Sequence, residues 1–169
     1  MLQHDAPTAY LRPATEADLL LYYEWANDLD VRAGSFGTEP IPLEQHRAWF
    51  ARKLESASVL MLVLEAPEPV GQVRFEVTND VAMIGFSLAA RARGRGLGSY
   101  LLRNGSHCLH TRFPNVRIAR GLVKANNVAS RRAFEAAGFQ LVPATPDKGV
   151  PTVTYDIDLL QFDASANTV

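Results

Sequence analysis

The sequence predicts an α+β fold, in which a mixed, mostly antiparallel sheet carries two helices on each side. Seven apolar or alternating runs are typical of strands, and four longer runs are typical of helices. Their order along the chain is β-α-α-β-β-β-α-β-α-β-β. A short turn at residues 78–80 joins the third strand to the fourth, and this predicts an antiparallel hairpin.

The first part of the chain supplies one strand and two helices. The strand is expected over Ala9–Pro13, and a capping-box pattern at Thr15–Asp18 opens a helix that ends near Asn27. Residues 28–42 contain two prolines and are expected to form an irregular loop. A second helix is predicted over Leu43–Leu54.

One face of this second helix carries His46, Trp49 and Phe50 at positions i, i+3 and i+4. Such a face usually packs into the core, and we expect that for most of it. His46 is the member of the three that we expect to look into a cleft.

Three strands follow, at Val59–Leu64, Val70–Val77 and Val81–Leu88. The middle strand alternates, so one of its faces carries Val73, Phe75 and Val77 and the other carries Gln72, Arg74 and Glu76. The remaining predicted elements are a helix over Gly98–Phe113, a strand over Val116–Val123, a helix over Val128–Ala137 and a closing hairpin of Gln140–Val142 with Thr152–Leu160.

Length and composition are typical of an ordinary globular chain. At 169 residues it has the size of a single domain spanning residues 1–169, with a core at about 10–160 and a frayed tail at 163–169. Its single cysteine, Cys108, indicates a reducing cytoplasm. Because no apolar run approaches the ~18 residues of a membrane span, we expect no membrane association. We expect a monomer or a homodimer.

The most informative stretch is the glycine loop, Arg93–Gly98, which follows the strand that ends at Leu88 and precedes a helix. Three glycines in five residues allow the backbone to approach a ligand closely. A helix N-terminus attracts anions, and Arg93 and Arg95 add two full charges. The loop therefore predicts a pyrophosphate clamp.

Residue types exclude two other glycine-rich loops. A P-loop closes with Lys followed by Ser or Thr, which Leu97–Ser99 lacks, and the dinucleotide fingerprint needs G-x-G-x-x-G with an acid ~20 positions later. The spacing here is G-x-G-x-G. No Asp or Glu occurs between Val81 and Phe134.

The charges are distributed unevenly, although the net charge is only −1. Ten Lys and Arg residues lie between Arg91 and Arg132 without an intervening acid. A block of one sign indicates a polyanionic ligand. The pI near 6.4 and the lack of interleaved aromatic residues argue against nucleic acid as this partner. Coenzyme A, with its pyrophosphate and 3′-phosphate, fits the basic block better.

The glycine loop resembles the R/Q-x-x-G-x-G/A acyl-CoA loop of the GNAT N-acetyltransferase superfamily. A second segment, Asn127–Phe139, is similar to the family's N-x-x-S-x-x-x-Y-x-x-x-G-F signature. The resemblance covers roughly residues 10–160. It implies transfer of an acetyl group from acetyl-CoA to a primary amine, and a V-shaped splay between the fourth and fifth strands that admits the acyl chain.

The resemblance also implies which residues bind acetyl-CoA. These are Phe86, Ser87, Leu88, Arg93, Gly94, Arg95, Gly96, Leu97, Gly98, Ser99, Asn127, Ser130 and Phe134. A backbone N–H near Leu88 is expected to polarise the thioester carbonyl. Family tyrosines at the position of Phe134 commonly protonate the leaving thiolate, and phenylalanine has no proton to give. Ser130, a water molecule or unassisted departure are the alternatives.

Acetyl transfer also needs a route for the amine proton. Glu76 is the first candidate base, because it shares a strand face with Gln72 and Arg74 beside the splay; an ion pair with Arg74 is the competing interpretation. His46 is the second candidate, since its ordinary pKa suits proton shuttling. Water-mediated deprotonation stays open, and no metal is expected.

The stretches Trp25–Asp28, Val31–Arg32, Ser35–Phe36 and Glu44–Phe50 resemble the GNAT branch that acetylates 4-amino sugars on nucleotide carriers. We therefore expect such an acceptor, with substrate contacts at Asn27, Arg32, Phe36 and Arg74. Two alternatives stay open. One is a protein Nα- or small-amine acetyltransferase, and the other is a non-catalytic acyl-CoA-binding module.

Overall fold

The computed structural model describes residues 9–143 and 149–164. Its strands are β1 (Tyr10–Pro13), β2 (Val59–Glu65), β3 (Pro69–Thr78), β4 (Val81–Leu88), β5 (Ile118–Lys124), β6 (Gln140–Val142) and β7 (Thr152–Asp158). Its helices are α1 (Leu19–Asn27), α2 (Leu29–Gly34), α3 (Leu43–Glu55), α4 (Leu97–Arg112), α5 (Val128–Ala136) and α6 (Gln161–Ala164). The order of the predicted strands and of the four long helices is confirmed.

The strands form one sheet in the order β1-β2-β3-β4-β5-β7-β6. Only β4 and β5 are parallel, and every other neighbouring pair is antiparallel. The hairpin of β3 and β4 turns through Asn79, whose φ of 56° is one that asparagine tolerates better than most residues. The predicted mixed, mostly antiparallel sheet is confirmed.

β4 and β5 separate soon after they pair. Their register covers three positions, from Val81 opposite Ile118 to Met83 opposite Arg120. Beyond these positions, residues 84–88 and 121–124 have no register with each other. The predicted splay is therefore present, and it opens toward the C-terminal ends of both strands.

Two helices cover each face of the sheet, as predicted. On one face, α4 and α5 bury Leu101, Leu102 and Phe134 against strand residues such as Phe75. On the other face, α1 and α3 bury Tyr22, Trp25 and Phe50 against Met61 and Val63. Each fully buried side chain of this size contributes about 2 kcal/mol through removal of apolar surface from water.

One prediction about local structure needs correction, and one stays a prediction. Residues 28–42 were expected to be irregular, but α2 lies within them because Asp28 caps a helix: its Oδ1 accepts from the N–H groups of Asp30 and Val31 at 3.1 and 3.2 Å. The tail expected to fray from residue 163 begins inside α6. Residues 165–169 of that tail lie outside the described residues.

Candidate active site

A cleft of about 980 Å³ opens at the splay. Its walls come from α2, the ends of β3, β4 and β5, the glycine loop and the first turns of α4 and α5. It therefore brings together residues that lie far apart in the sequence. The predicted site residues that line it are Arg32, Phe36, Arg74, Phe86, Ser87, Leu88, Arg93, Gly94, Gly96, Gly98, Ser99, Asn127, Ser130 and Phe134.

The glycine loop has the geometry expected of an anion cradle. Gly94 and Gly96 have φ of 71° and 75°, a conformation that side chains rarely adopt, and no atom lies within 4 Å of where a Cβ would stand on either. Gly96 directly precedes the 16-residue helix α4, whose first N–H groups have no partner within the helix. A pyrophosphate therefore fits above the loop, beside the exposed Arg95.

The third glycine of the loop has a different role. Gly98 is buried, and a Cβ there would lie 3.2 Å from the Cβ of Ala133. Its lack of a side chain allows α4 and α5 to pack closely. Gly98 lines the cleft, whereas Arg95 and Leu97, both predicted to bind the cofactor, do not.

Arg93 points away from the glycine loop, toward α2. Its guanidinium donates to Asp28 Oδ1 at 2.6 Å, to Asp30 Oδ2 at 2.9 Å and to the carbonyl of Leu88 at 3.0 Å. Two carboxylates therefore already neutralise the charge predicted to face the pyrophosphate. Although burial raises the pKa of Asp28, the bond from Arg93 is among those that bring it below its usual value.

The end of β4 presents backbone groups to the splay. The N–H of Ala89 donates to Val70 on the β3 side at 2.8 Å. Because amide direction alternates along a strand, the N–H groups of Phe86 and Leu88 point to the opposite side, toward β5. This direction suits the predicted polarising N–H near Leu88.

Asn127 begins α5 as its N-cap. Its Oδ1 accepts from the N–H of Ser130 at 3.2 Å, and its Nδ2 lies so close to Gly34 that a Cβ there would be 2.7 Å away. Asn127 therefore connects α5 to α2 across the mouth of the cleft. The predicted hydrogen bond from Asn127 to the cofactor stays a prediction, as does the role of Ser130.

Phe134 closes the bottom of the splay. Its ring stacks on Tyr155 at 5.4 Å between centroids and meets Phe86 edge to face at 5.6 Å. The tip of the ring points at Gly121 on β5, where a Cβ would overlap it. Phe134 thus fills the space between the two diverging strands.

Two residues predicted to contact the acceptor, Asn27 and Arg32, form hydrogen bonds to neighbouring parts of the chain. Asn27 donates to the carbonyls of Tyr23 and Ile41 and accepts from the N–H of Ile41 at 2.7 Å, and it does not line the cleft. Arg32 lines the cleft, and it donates to Gly37 O and Ser35 Oγ at 2.9 and 3.1 Å. Burial lowers the pKa of Arg32, and no carboxylate among the described residues pairs with it.

Arg74 crosses the floor of the cleft. Its guanidinium lies 5.3 Å from the ring centre of Trp49, and it runs over Gly85, where a Cβ would overlap it. Its Nε donates to Glu76 at 3.2 Å, so the competing interpretation of Glu76 as an ion-pair partner is present.

Glu76 does not line the cleft. Lys53 donates to its other oxygen at 2.7 Å. Although burial raises the pKa of Glu76, the bonds from Lys53 and Arg74 lower it below its usual value. A carboxylate held ionised in this way is a weak proton acceptor, and its role as the base stays an untested prediction.

The prediction that His46 looks into the cleft is wrong. Its side chain is 2% exposed, its Nε2 lies 3.0 Å from the carbonyl of Leu19, and its ring packs against Tyr23, Trp49 and Phe50. Burial lowers the pKa of His46 and keeps the imidazole neutral. It sits on the core side of α3.

Gln72 is a cleft residue that the sequence motifs do not indicate. It faces the cleft side of β3, is 6% exposed, and donates through Nε2 to Ser87 Oγ at 3.1 Å. The available signal was its place on the same strand face as Arg74. A polar side chain in the centre of a buried strand needs a partner or a function.

Residues 9–143 and 149–164 hold neither a metal-binding cluster nor a membrane-spanning helix. No cluster of three or more His, Cys, Asp or Glu side chains is arranged there to hold a metal ion. In the same ranges, no helix has the length and apolarity needed to cross a membrane.

The chain resembles known proteins at two levels. The family model of the acetyltransferase (GNAT) domain matches residues 9–140. The solved structure of AAC(6')-Ib with ribostamycin and coenzyme A is 24% identical, covers 96% of this chain and 99% of its own, and has a TM-score of 0.81. Spermidine N-acetyltransferase from Vibrio cholerae, with CoA and spermine, is 16% identical, covers 88% and 92%, and has a TM-score of 0.73. No curated protein matches.

Proposed function

The chain belongs to the GNAT acetyltransferase family, and from this premise we propose that its acceptor is the primary amine of a nucleotide-linked 4-amino sugar. Membership makes it an acetyl-CoA-dependent N-acetyltransferase. The proposal concerns the acceptor, and the charge of the cleft is the observation that carries it.

The acceptor half of the cleft, which is the side lined by α2 and by Arg74, carries more positive than negative charge. Arg32 and Arg74 line it, and Asp30 is the only acid among its described lining residues. Asp30 is itself bonded to Arg93. An acceptor with a diphosphate would be attracted by this field, whereas a polyamine would be repelled.

The chemistry required of the protein is limited. The amine nitrogen forms a bond to the acetyl carbonyl carbon while the C–S bond breaks, and the proton that the nitrogen loses ends on the departing thiolate to give the free thiol of coenzyme A. Acetyl-CoA supplies the activated thioester. The N–H groups of Phe86 and Leu88 are directed to polarise that carbonyl, and the buried surfaces of Phe86 and Phe134 exclude water beside it.

The test is a thiol-release assay with one acceptor of each class at equal concentration. The panel contains a nucleotide-linked 4-amino sugar, the corresponding free amino sugar, spermidine and an N-terminal peptide. We expect the nucleotide-linked sugar to give the highest kcat/KM. The variant Arg74→Gln should reduce that preference, with Arg52→Gln on the exposed end of α3 as the matched control.

The alternatives give different results in the same assay. A protein Nα- or small-amine acetyltransferase would favour the peptide or the free amine. A non-catalytic module would bind acetyl-CoA and release no thiol with any amine. The cytoplasmic location and the monomeric or homodimeric state remain predictions from the sequence.

A further inference from the structure

Gln72 has an unusual environment for a residue in the wall of a cleft. Its position on β3 is directly opposite Ser87 on β4, and the bond from its Nε2 to Ser87 Oγ fixes the plane of the amide. Its Oε1 is buried and has no hydrogen-bond partner among the described residues. The side chain lines the cleft at the floor of the acceptor half.

A buried carbonyl oxygen without a donor destabilises the folded protein. Native proteins satisfy nearly all such groups, so the donor for this oxygen comes from water or from a bound ligand. The acceptor amine is the donor that the proposed function brings to this floor. Its nitrogen carries N–H groups, which can donate a hydrogen bond to an amide oxygen.

The charges around Gln72 indicate which form of the amine is held. Each acid near the cleft is already bonded to a cation: Glu76 to Lys53 and Arg74, and Asp28 and Asp30 to Arg93. An ammonium would therefore meet surplus positive charge without a free carboxylate. The charged groups that line the cleft are Asp30, Arg32, Arg74, Arg93 and Arg132.

We propose that Gln72 Oε1 accepts a hydrogen bond from the acceptor amine, and that the cleft binds this amine as its uncharged free base. The inference rests on the proposed function, because it requires an amine acceptor in this cleft. In this scheme the protein needs no carboxylate base, since the ammonium gives one proton to water on entry and the proton lost on acylation goes to the departing thiolate. Gln72 then orients the nitrogen lone pair toward the end of β4.

The test is calorimetry of amine binding with CoA present, which prevents turnover. The probes are a nucleotide-linked 4-amino sugar and glucosamine 6-phosphate, each at least one pH unit below the measured pKa of its amine. Titrations in buffers of different ionisation enthalpy give the number of protons released. We expect nearly one proton per bound amine.

Three variants separate positioning from folding. Gln72→Met keeps the length of the side chain. We expect it to weaken amine binding about tenfold, because the hydrogen-bond-accepting oxygen is lost. In Gln72→Glu the carboxylate should pair with the charged ammonium form of the amine, so binding should release almost no protons. Ser87→Ala frees the amide, and we expect a smaller loss in the same direction. The affinity for acetyl-CoA should be unchanged in the two Gln72 variants.

Binding without proton release, or equal affinity in Gln72→Met, would overturn the inference about Gln72. If only glucosamine 6-phosphate binds, the nucleotide-linked acceptor is wrong and Gln72 is tested with that probe. If neither amine binds, both proposals fail.

Discussion

Arg93 and Asp28, which are 65 residues apart in the chain, form an ion pair of 2.6 Å between the glycine loop and the N-terminus of α2. The same Asp28 oxygen caps α2. One carboxylate thus orders the acceptor-side helix and attaches it to the cofactor-side loop. The two halves of the cleft are mechanically connected through this pair.

Replacing Asp28 with Asn should separate these two roles. Asparagine is an equally good helix cap, so Asp28→Asn removes the charge and leaves α2 formed. We expect the KM of the acceptor to rise several-fold, with a smaller change in the KM of acetyl-CoA. Asp30→Asn is the control, because Asp30 is exposed and its pair with Arg93 contributes little. An equal rise in both KM values for Asp28→Asn would contradict this reading.

Gly96→Val should abolish acetyl-CoA binding. The added side chain enters the space above the loop and forces a β-branched residue into φ of 75°. Gly149→Val is a matched control, since Gly149 has φ of 71°, open surroundings and a place outside the cleft. Calorimetry should show a loss of binding in the first variant alone, although both variants lose stability.

Phe134→Tyr should destabilise the protein. The resembling family has tyrosine at this position, but here the ring tip of Phe134 points at the backbone of Gly121. A hydroxyl there would overpack the interior, which costs about 1–3 kcal/mol. Urea unfolding measures this loss. A variant of unchanged stability and raised turnover would show that the hydroxyl reaches the splay instead.

Glu76→Gln should lower the rate by the same factor across neutral and alkaline pH. The low pKa of Glu76 keeps it ionised throughout this range, so its loss acts by releasing Arg74 rather than by removing a titrating base. Lys53→Gln, which removes the other partner, should give a milder effect of the same shape. A rate loss in Glu76→Gln that is largest at mildly acidic pH would contradict this prediction and support Glu76 as the base.

Asp18→Asn should lower the free energy of unfolding by about 3 kcal/mol at pH 7. Arg12 donates to both oxygens of the buried Asp18 at 2.8 Å, and this pairing lowers the pKa of Asp18 against the opposing effect of burial. A lowered pKa stabilises the fold above the usual value of 3.8, and the benefit disappears as the pH falls through the lower folded value. Denaturant unfolding at pH 7, 5 and 3 should show the two proteins converging only at the acid end.

Backbone features were predictable where local residues determine them. The hairpin at Asn79 and the open loop at Gly94 and Gly96 follow from turn residues and glycines, whose conformational preferences act over a few positions. The splay could be anticipated from the family resemblance. The helix α2 is not apparent from the sequence, because the prolines at positions 40 and 42 indicate a loop although Asp28 can cap a helix.

Side-chain partners were less predictable, because they depend on residues distant in the chain. Arg93 faces Asp28 rather than a phosphate, and Glu76 faces Lys53 on α3, 23 residues away. The amphipathic face of α3 could not show which of its members was fully enclosed, so His46 was misplaced. Helical periodicity predicts a direction, whereas depth depends on how α1 packs beside it.

The splay also matters for how the protein behaves in storage. Beyond Met83, β4 and β5 present two open strand edges in the middle of the sheet. Open edges are templates for strand addition, and natural sheets keep them short or covered. Here an extended ligand that pairs with Phe86 and Leu88 would cover the edge of β4. Cofactor-free preparations should therefore be the ones that aggregate, and added acetyl-CoA should act as a solubilising agent as well as the acetyl donor.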